Sequence, residues 1–477
     1  MENKLERKYG LFTAICMVIG IVIGSGVFFK AQVIMQRTGG DMPLGIIAWI
    51  IGGAIMLVCL LTFAFMGQKY EKVNGLVDYA EATMGKGYGY YMGWFATTIY
   101  YPGMTSALAW LSARYTLVFI TNAFPNFPML IPAAEGGCLI GPECMVLAMV
   151  YLCASYAMNA LSPKLAGKFQ TTTTVIKLIP LALMAVVGLI VGITSGALQE
   201  NMTTTPSATE LEALGATVSG SPLFAAVSAT AFAYEGWIIA TSINSEIKDS
   251  KKNLPRALIL GGIVIIVVYL LYFIGVAGGA SNAELIGEGA TVAFNRIFGG
   301  VIGNVLNLFV AISCLGTLNG LMVGQSRGMY TIAARGEGPK AKIFASVDKE
   351  SNMAGNSAVI GLLVTAAWLA YFYFSNLAGT WSGPFVFDST ELPIITIYAM
   401  YLPMYVMWMV KEKDQSVMRR FVLPILAFCG STFMVVACAL AHKMACVWYL
   451  IVFAVIMVIG ALVRGKKAKE TAPEEIV

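Results

Sequence analysis

Three short stretches carry the polar and glycine residues that could do chemistry within an otherwise apolar chain. The first is GIVIGSGVFF, which holds Gly24, Ser25 and Gly26. Two glycines around a serine loosen a helix and free backbone N–H groups, and the half-helix that restarts beyond them presents a partly positive N-terminus. A carboxylate is the natural ligand for such an end. Close helix packing is the competing reading, because Gly20 and Gly24 are spaced as small residues are at helix crossings. The second stretch, AFAYEGW (231–237), places Glu235 in the middle of an apolar run. An acid at that depth costs about 2.5–3.5 kcal/mol on insertion scales and is a functional candidate by default. Unwound backbone around Ala233 would also offer carbonyls to an ammonium group, so the two stretches together suit a zwitterionic α-amino acid. Glu235 could equally form a structural pair that pins a broken helix. Phe232, Tyr234 and Trp237 are gates or packing, with Phe232 the favoured gate. The third stretch, TVIKLIPLAL, buries Lys177 about nine residues from its helix end, or roughly 13 Å by helical rise. A fixed ammonium there can stand where a Na⁺ would otherwise bind, joining carbonyls of the first span to the eighth. It could also carry a proton, or be a static ion pair.

The elements that must position these groups are membrane-length. The chain has 477 residues, 58% hydrophobic and 12% charged, with a mean hydropathy of +0.75. Soluble domains are nearer 25% charged. A span needs roughly 20 apolar residues, and that ruler predicts twelve spans: 11–35, 42–67, 87–121, 143–162, 169–195, 222–246, 256–279, 301–333, 356–377, 386–410, 420–441 and 444–463. Of 31 Lys and Arg residues, 25 fall in loops on the N-terminal side of this arrangement and four on the other, namely Lys30, Arg37, Arg296 and Lys443. Cytoplasmic loops collect basic residues, so both termini are expected in the cytoplasm. Each glycine-rich break then lies about 13 residues into its span, roughly 20 Å along a helix. Non-helical backbone at that depth must line a cavity or be buried in protein. Five spans begin with each break, in opposite topology. The expected architecture is therefore an all-α membrane protein with an inverted five-plus-five repeat, discontinuous helices 1 and 6, and two accessory helices. The whole chain, 1–477, forms one transmembrane domain, divided as 11–195, 222–410 and 420–463. Paired breaks in corresponding positions point to a transporter's binding site.

Other classes have little material. The net charge of +5 reflects loop residues rather than a nucleic-acid surface, and the single histidine, His442, leaves almost nothing for metal or acid–base chemistry. No catalytic residues, no metal and no cofactor are expected, and no carboxylate dyad or filter-like repeat suggests an enzyme or a channel. No cleavable signal peptide is evident after Lys4, Arg7 and Lys8. The loop 68–85 could form an interfacial helix, 196–221 reads as an external Thr- and Ser-rich loop, and the polar tail beyond Arg464 as disordered. Arg114 reads as a snorkelling residue at the rim of the third span. Most of the nine cysteines are small apolar residues within spans, whereas Cys138 and Cys144 share one loop and could form a disulfide or stay as thiols.

Taken together, GIVIGSGVF, AFAYEGW, EIKDSKKNLPRAL (246–258), CLGTLNG (314–320) and SRGMYTIAARGEG (326–338) resemble the amino acid–polyamine–organocation superfamily. The similarity covers about residues 9 to 410 and is closest to bacterial relatives of the L-type amino acid transporters. It implies a LeuT-like fold and Na⁺-independent amino acid transport across the plasma membrane, often by obligatory exchange, with a bacterial cell as the expected setting. By motif, Ile23, Ser25 and Gly26 would hold the substrate's carboxylate and amino groups, and Phe232, Ala233 and Glu235 would line the site. Gly24 and Phe232 would gate it, Lys177 matches the family's lysine in span 5, and Asn319 falls in the LGTLNG-type motif of span 8. Some L-type members carry Gly where this chain has Glu235. That narrows the pocket and points to small neutral amino acids, with proton symport, or amine and cationic amino acid carriage through Glu235, as the alternatives. Eukaryotic members link a heavy subunit through a cysteine between spans 3 and 4, the loop of Cys138 and Cys144. Nothing else in the chain argues for such a partner, so the expected partners are the amino acid substrate and the bilayer.

Overall fold

The computed structural model describes residues 9–464 except 25, 71–74, 125, 128–141, 217–220, 349–352, 378–380 and 382. Eleven of its helices are long and apolar enough to cross a membrane, from Leu11–Thr38 to Met444–Val463. The expected span 87–121 is not among them. It is a helical run of Lys86–Phe95, a π-turn at Ala96–Tyr100 and Tyr101–Ala123, and it carries too many hydroxyls to match the others in hydropathy. Those hydroxyls are buried in protein and satisfied within the run. Thr97 donates to Gly93 O at 2.8 Å, Ser106 to Gly103 O at 2.8 Å and Ser112 to Leu108 O at 2.7 Å, the back-bonding that lets Ser and Thr sit inside a helix. Arg114 lies over the rings of Trp110 and Tyr115, 5.6 Å from each centroid.

Both expected breaks are present. The first helix stops at Val22, where Ile23 turns extended (φ −71°, ψ 101°), and resumes as Gly26–Thr38. The helix Pro222–Tyr234 stops because Glu235 is extended (ψ 163°) and Gly236 takes φ +104°, a left-handed value that only glycine adopts without strain. A 3₁₀ segment, Trp237–Glu246, follows. Just beyond its end, Lys248 N–H donates to Tyr9 O at 2.8 Å.

The broken helices sit in the middle of the bundle. Pro222–Tyr234 packs against Gly26–Thr38 and Met42–Lys69, and Gly300–Ala333 packs against both Tyr101–Ala123 and Pro163–Leu183. Met444–Val463 is the outlier, with only 11% of its apolar stretch buried by the rest of the chain.

Two expectations change. The 68–85 loop does form a helix, Gly75–Met84, but that helix is buried rather than interfacial. Leu76, Tyr79 and Ala80 are covered, and both Asp78 and Glu81 pair with Arg335. Lys30, grouped by sequence with a loop, is on the helix Gly26–Thr38 and buried.

Candidate functional site

The two breaks touch. A Cβ on Gly26 would fall 2.7 Å from Ala233 Cα, and one on Gly236 would fall 3.0 Å from the Ile21 side chain. Only residues without side chains allow this approach, which explains the glycines as contacts between half-helices as well as breaks. Tyr269, from Ser250–Ala277, fastens both ends at once: its hydroxyl is 3.1 Å from Val22 O and 3.1 Å from Ala233 O.

The first half-helix ends in carbonyls with no helical partner, and Lys177 meets them. Its buried Nζ donates to Gly20 O at 2.7 Å, to Ile23 O at 2.5 Å and to Thr317 Oγ1 at 3.2 Å. Thr317 Oγ1 in turn lies 3.3 Å from Gly20 O and 2.9 Å from Ile23 O. A cation at a helix C-terminus is favoured by the helix dipole. Here it also satisfies backbone that would otherwise be orphaned within the membrane. The ammonium thus ties the first span, the span around Pro163–Leu183 and the helix Gly300–Ala333 into one node.

Glu235 is buried at the second break. Its Oε1 accepts from Tyr100 OH at 2.6 Å, and Tyr100 closes the π-turn of the third helical run, which aims its phenol inward. Tyr398 and Tyr401 interact electrostatically with the same carboxylate. Its Oε2 makes no hydrogen bond of normal geometry among the described residues. Tyr398 and the Gly236 N–H also lie against this carboxylate, which borders a cavity of about 10 Å3 lined by Gly24, Gly26, Phe232, Glu235, Gly236 and Thr317. That volume is room for about one water, so the side chains in this conformation are closed around the site.

Phe232 lines this cavity, and a charge cluster lies beside its ring. Lys30 Nζ lies 5.2 Å from its ring centroid and is ion-paired with Glu391. Glu391, at the start of Glu391–Lys411, also meets Arg37 at 3.5 Å and His442 Nε2 at 2.9 Å.

Of the residues singled out by sequence, Ile23, Gly24, Gly26, Phe232, Ala233, Glu235 and Lys177 converge on this one place. Ser25 lies outside the described residues, as does Cys138; Cys144 is buried with its Sγ 3.9 Å from Trp110 O. Asn319 belongs to a separate polar cluster with Asn159 and Gln170. Tyr100, Tyr269, Thr317, Glu391 and His442 were not anticipated as site residues. A signal existed for the last two, since Glu391 is an acid within an apolar span and His442 is the chain's single histidine. Thr317 had one too, lying within the CLGTLNG motif, whereas the tyrosines had none, being ordinary residues of their helices.

The family model described as amino acid permease matches residues 9–462. The chain belongs to the amino acid permease family. Among relatives of this permease, the serine/threonine exchanger SteT of Bacillus subtilis (strain 168) is 28% identical over 459 residues, covering 93% of this chain and 94% of SteT. The human Asc-type amino acid transporter 1 is 28% identical over 336 residues, 70% of this chain and 60% of that protein. The human large neutral amino acids transporter small subunit 2 is 28% identical over 346 residues, 72% and 61% respectively. A crystal structure of MhsT in complex with L-phenylalanine matches with a TM-score of 0.59 at 13% identity, covering 94% of this permease and 99% of MhsT. That likeness establishes a LeuT-like fold. The permease is a multi-pass membrane transporter of amino acids, as its relatives are, and not an enzyme.

Proposed function

We propose that this permease exchanges small neutral L-amino acids across the plasma membrane without sodium, by alternating access around the two breaks. The observation that carries this reading is the contact between the half-helices, Gly26 against Ala233 and Gly236 against Ile21, with a small cavity bordered by Glu235 beside them. In this reading the substrate carboxylate binds the N-terminus of Gly26–Thr38 near Ile23, Ser25 and Gly26, because free N–H groups and the helix dipole favour an anion there. The ammonium group meets the carbonyls ending Pro222–Tyr234, near Phe232 and Ala233, and the carboxylate of Glu235. Lys177 supports sodium independence, since its Nζ occupies the carbonyls of Gly20 and Ile23 that a Na⁺ would need. Small side chains suit the tight cavity, and exchange is the activity named for SteT. Asn319 acts in gating through the helix Gly300–Ala333. The twelve-span, five-plus-five arrangement with cytoplasmic termini counts the run from Lys86 to Ala123 as the third span. No heavy subunit is part of this reading.

The test is counterflow in proteoliposomes. Vesicles loaded with serine should release it only when a small neutral amino acid is outside, at equal rates in sodium and choline buffers. Efflux into amino acid-free buffer at the same rate would refute exchange, and a requirement for sodium would refute the role given to Lys177. A second reading, proton-coupled symport, draws on Glu235 as a carboxylate buried at the break beside the cavity. Uptake that collapses with the proton gradient would favour it.

A further inference from the structure

A second cavity, of about 30 Å3, lies on the basic side of the breaks, bounded by Tyr9, Ala166, Gln170, Asn319, Gly320 and Arg327. Three buried carboxamides build one wall, and their hydrogen bonds run in one direction. Asn159 Nδ2 donates to Asn319 Oδ1 at 2.8 Å, and Asn319 Nδ2 donates to Gln170 Oε1 at 3.0 Å and to Ala166 O at 3.2 Å. The chain of amides therefore ends on the Gln170 amide nitrogen, which has no acceptor among the described residues although Gln170 is only 2% exposed. A buried donor left unpaired is costly, so a directed network ending in one implies an acceptor that is present only part of the time.

The position of this donor matters. Gln170 precedes Lys177 by seven residues on the same helix, roughly 10 Å of rise. Its amide nitrogen lies 2.6 Å from where a Cβ on Gly20 would stand and 3.5 Å from one on Gly320, so it looks into the seam between the first half-helix and the helix Gly300–Ala333. Thr174, one turn on, completes a polar lane by donating to Gln170 O at 2.7 Å and reaching Cys16 O at 3.2 Å. Arg327 adds a guanidinium to the same cavity. An N–H donor at the end of a polarised amide chain, with a cation nearby, suits an anion.

We propose that this cavity is a second station on the path to the basic side, where Gln170 receives the carboxylate of an amino acid that has left the break. The station rests on the exchange reading above. It differs from the site at the break, because its donor is a side-chain amide beside Gly20 and not the N-terminus of Gly26–Thr38. It acts on only one leg of the cycle, so a molecule arriving from the opposite side reaches the break without touching it.

Sided exchange tests this on the full chain in vesicles of one orientation, with serine as the probe and half-saturation measured on each face. Gln170→Leu should raise half-saturation on the basic face roughly tenfold or more, the loss expected for a hydrogen bond to a charged group, and leave the opposite face within about twofold. Gln170→Glu, which offers a carboxylate to a carboxylate, should weaken the basic face further. Equal changes on both faces would mean that Gln170 acts through the break, and no change on either would mean that the cavity takes water alone; each result overturns the proposal. Should Gln170→Leu fail to reach the membrane, Arg327→Gln is read in the same way, with a weakening confined to the basic face as the supporting result. If the wild type moves no amino acid, this reading and the exchange reading fall together. Wild-type exchange with no asymmetry in the variants removes the station alone.

Discussion

Replacing Lys177 by methionine removes the ammonium while keeping most of the side chain's volume. The wild-type Nζ satisfies two carbonyls, Gly20 O and Ile23 O, and bonds Thr317 Oγ1. Thr317 lies within reach of both carbonyls but has one proton to donate, and its shorter contact is to Ile23 O at 2.9 Å. In the variant, Gly20 O is left unpaired in a buried node. An unsatisfied buried acceptor costs about 1–3 kcal/mol, and losing a cation at a helix C-terminus adds about 0.3–1 kcal/mol. About 2 kcal/mol against the closed arrangement of the break shifts its population roughly thirtyfold, since 1.4 kcal/mol is tenfold. The expected outcome is a serine exchange rate lowered roughly 10- to 100-fold per inserted molecule. Insertion should be unaffected, because the span Lys164–Ser195 only becomes more apolar. The assay is counterflow normalised to protein recovered in the vesicles. Exchange at the wild-type rate would refute the reasoning, since it would show that the carbonyls of the first half-helix do not need this donor.

Other perturbations follow from the same contacts. Gly26→Val would drive a branched side chain into the Ala233 backbone, where even a bare Cβ falls at 2.7 Å; equilibrium binding of labelled serine should be lost, and retained binding would place the carboxylate elsewhere. Glu235→Gln keeps an acceptor for Tyr100, now 2.6 Å from Oε1, but removes the charge. Serine affinity should fall roughly tenfold, as for a lost charged hydrogen bond, and an unchanged affinity would make Glu235 a structural pin only. Glu391→Gln leaves Lys30, Arg37 and His442 around a neutral amide. Breaking a buried pair costs about 3–5 kcal/mol, so the thermal midpoint in detergent should drop, with partial recovery on adding Lys30→Met; an unchanged midpoint would show that the cluster carries no stability.

The parts of the site that involve the backbone were legible in the sequence, because glycine and an acid inside an apolar span are physically expensive and so informative. Gly26, Gly236 and Glu235 announce a break wherever the chain folds, and Lys177 announces a buried cation. What those groups touch depends on tertiary packing. Nothing about Tyr100 or Tyr269 distinguishes them from other tyrosines of a membrane protein until the π-turn at Ala96–Tyr100 and the crossing of Ser250–Ala277 aim their hydroxyls at the breaks. Lys30 counts by sequence among the loop residues of the far side, whereas Glu391, distant in sequence, holds it inside the bundle. The run from Lys86 to Ala123 illustrates the reverse limit: its hydroxyls lower its hydropathy while bonding within their own helix, as Thr97 and Ser112 show. The loop helix Gly75–Met84 is buried for a similar reason, since Arg335 takes up its acids.

The most direct test of the central claim is a structure of the permease with a small neutral amino acid bound. The account predicts density between the two breaks, with the carboxylate against the N-terminus of Gly26–Thr38 and the ammonium group beside Ala233 O and Glu235. Density that leaves this cavity unoccupied, or an amino acid seated with its carboxylate toward Glu235, would contradict it.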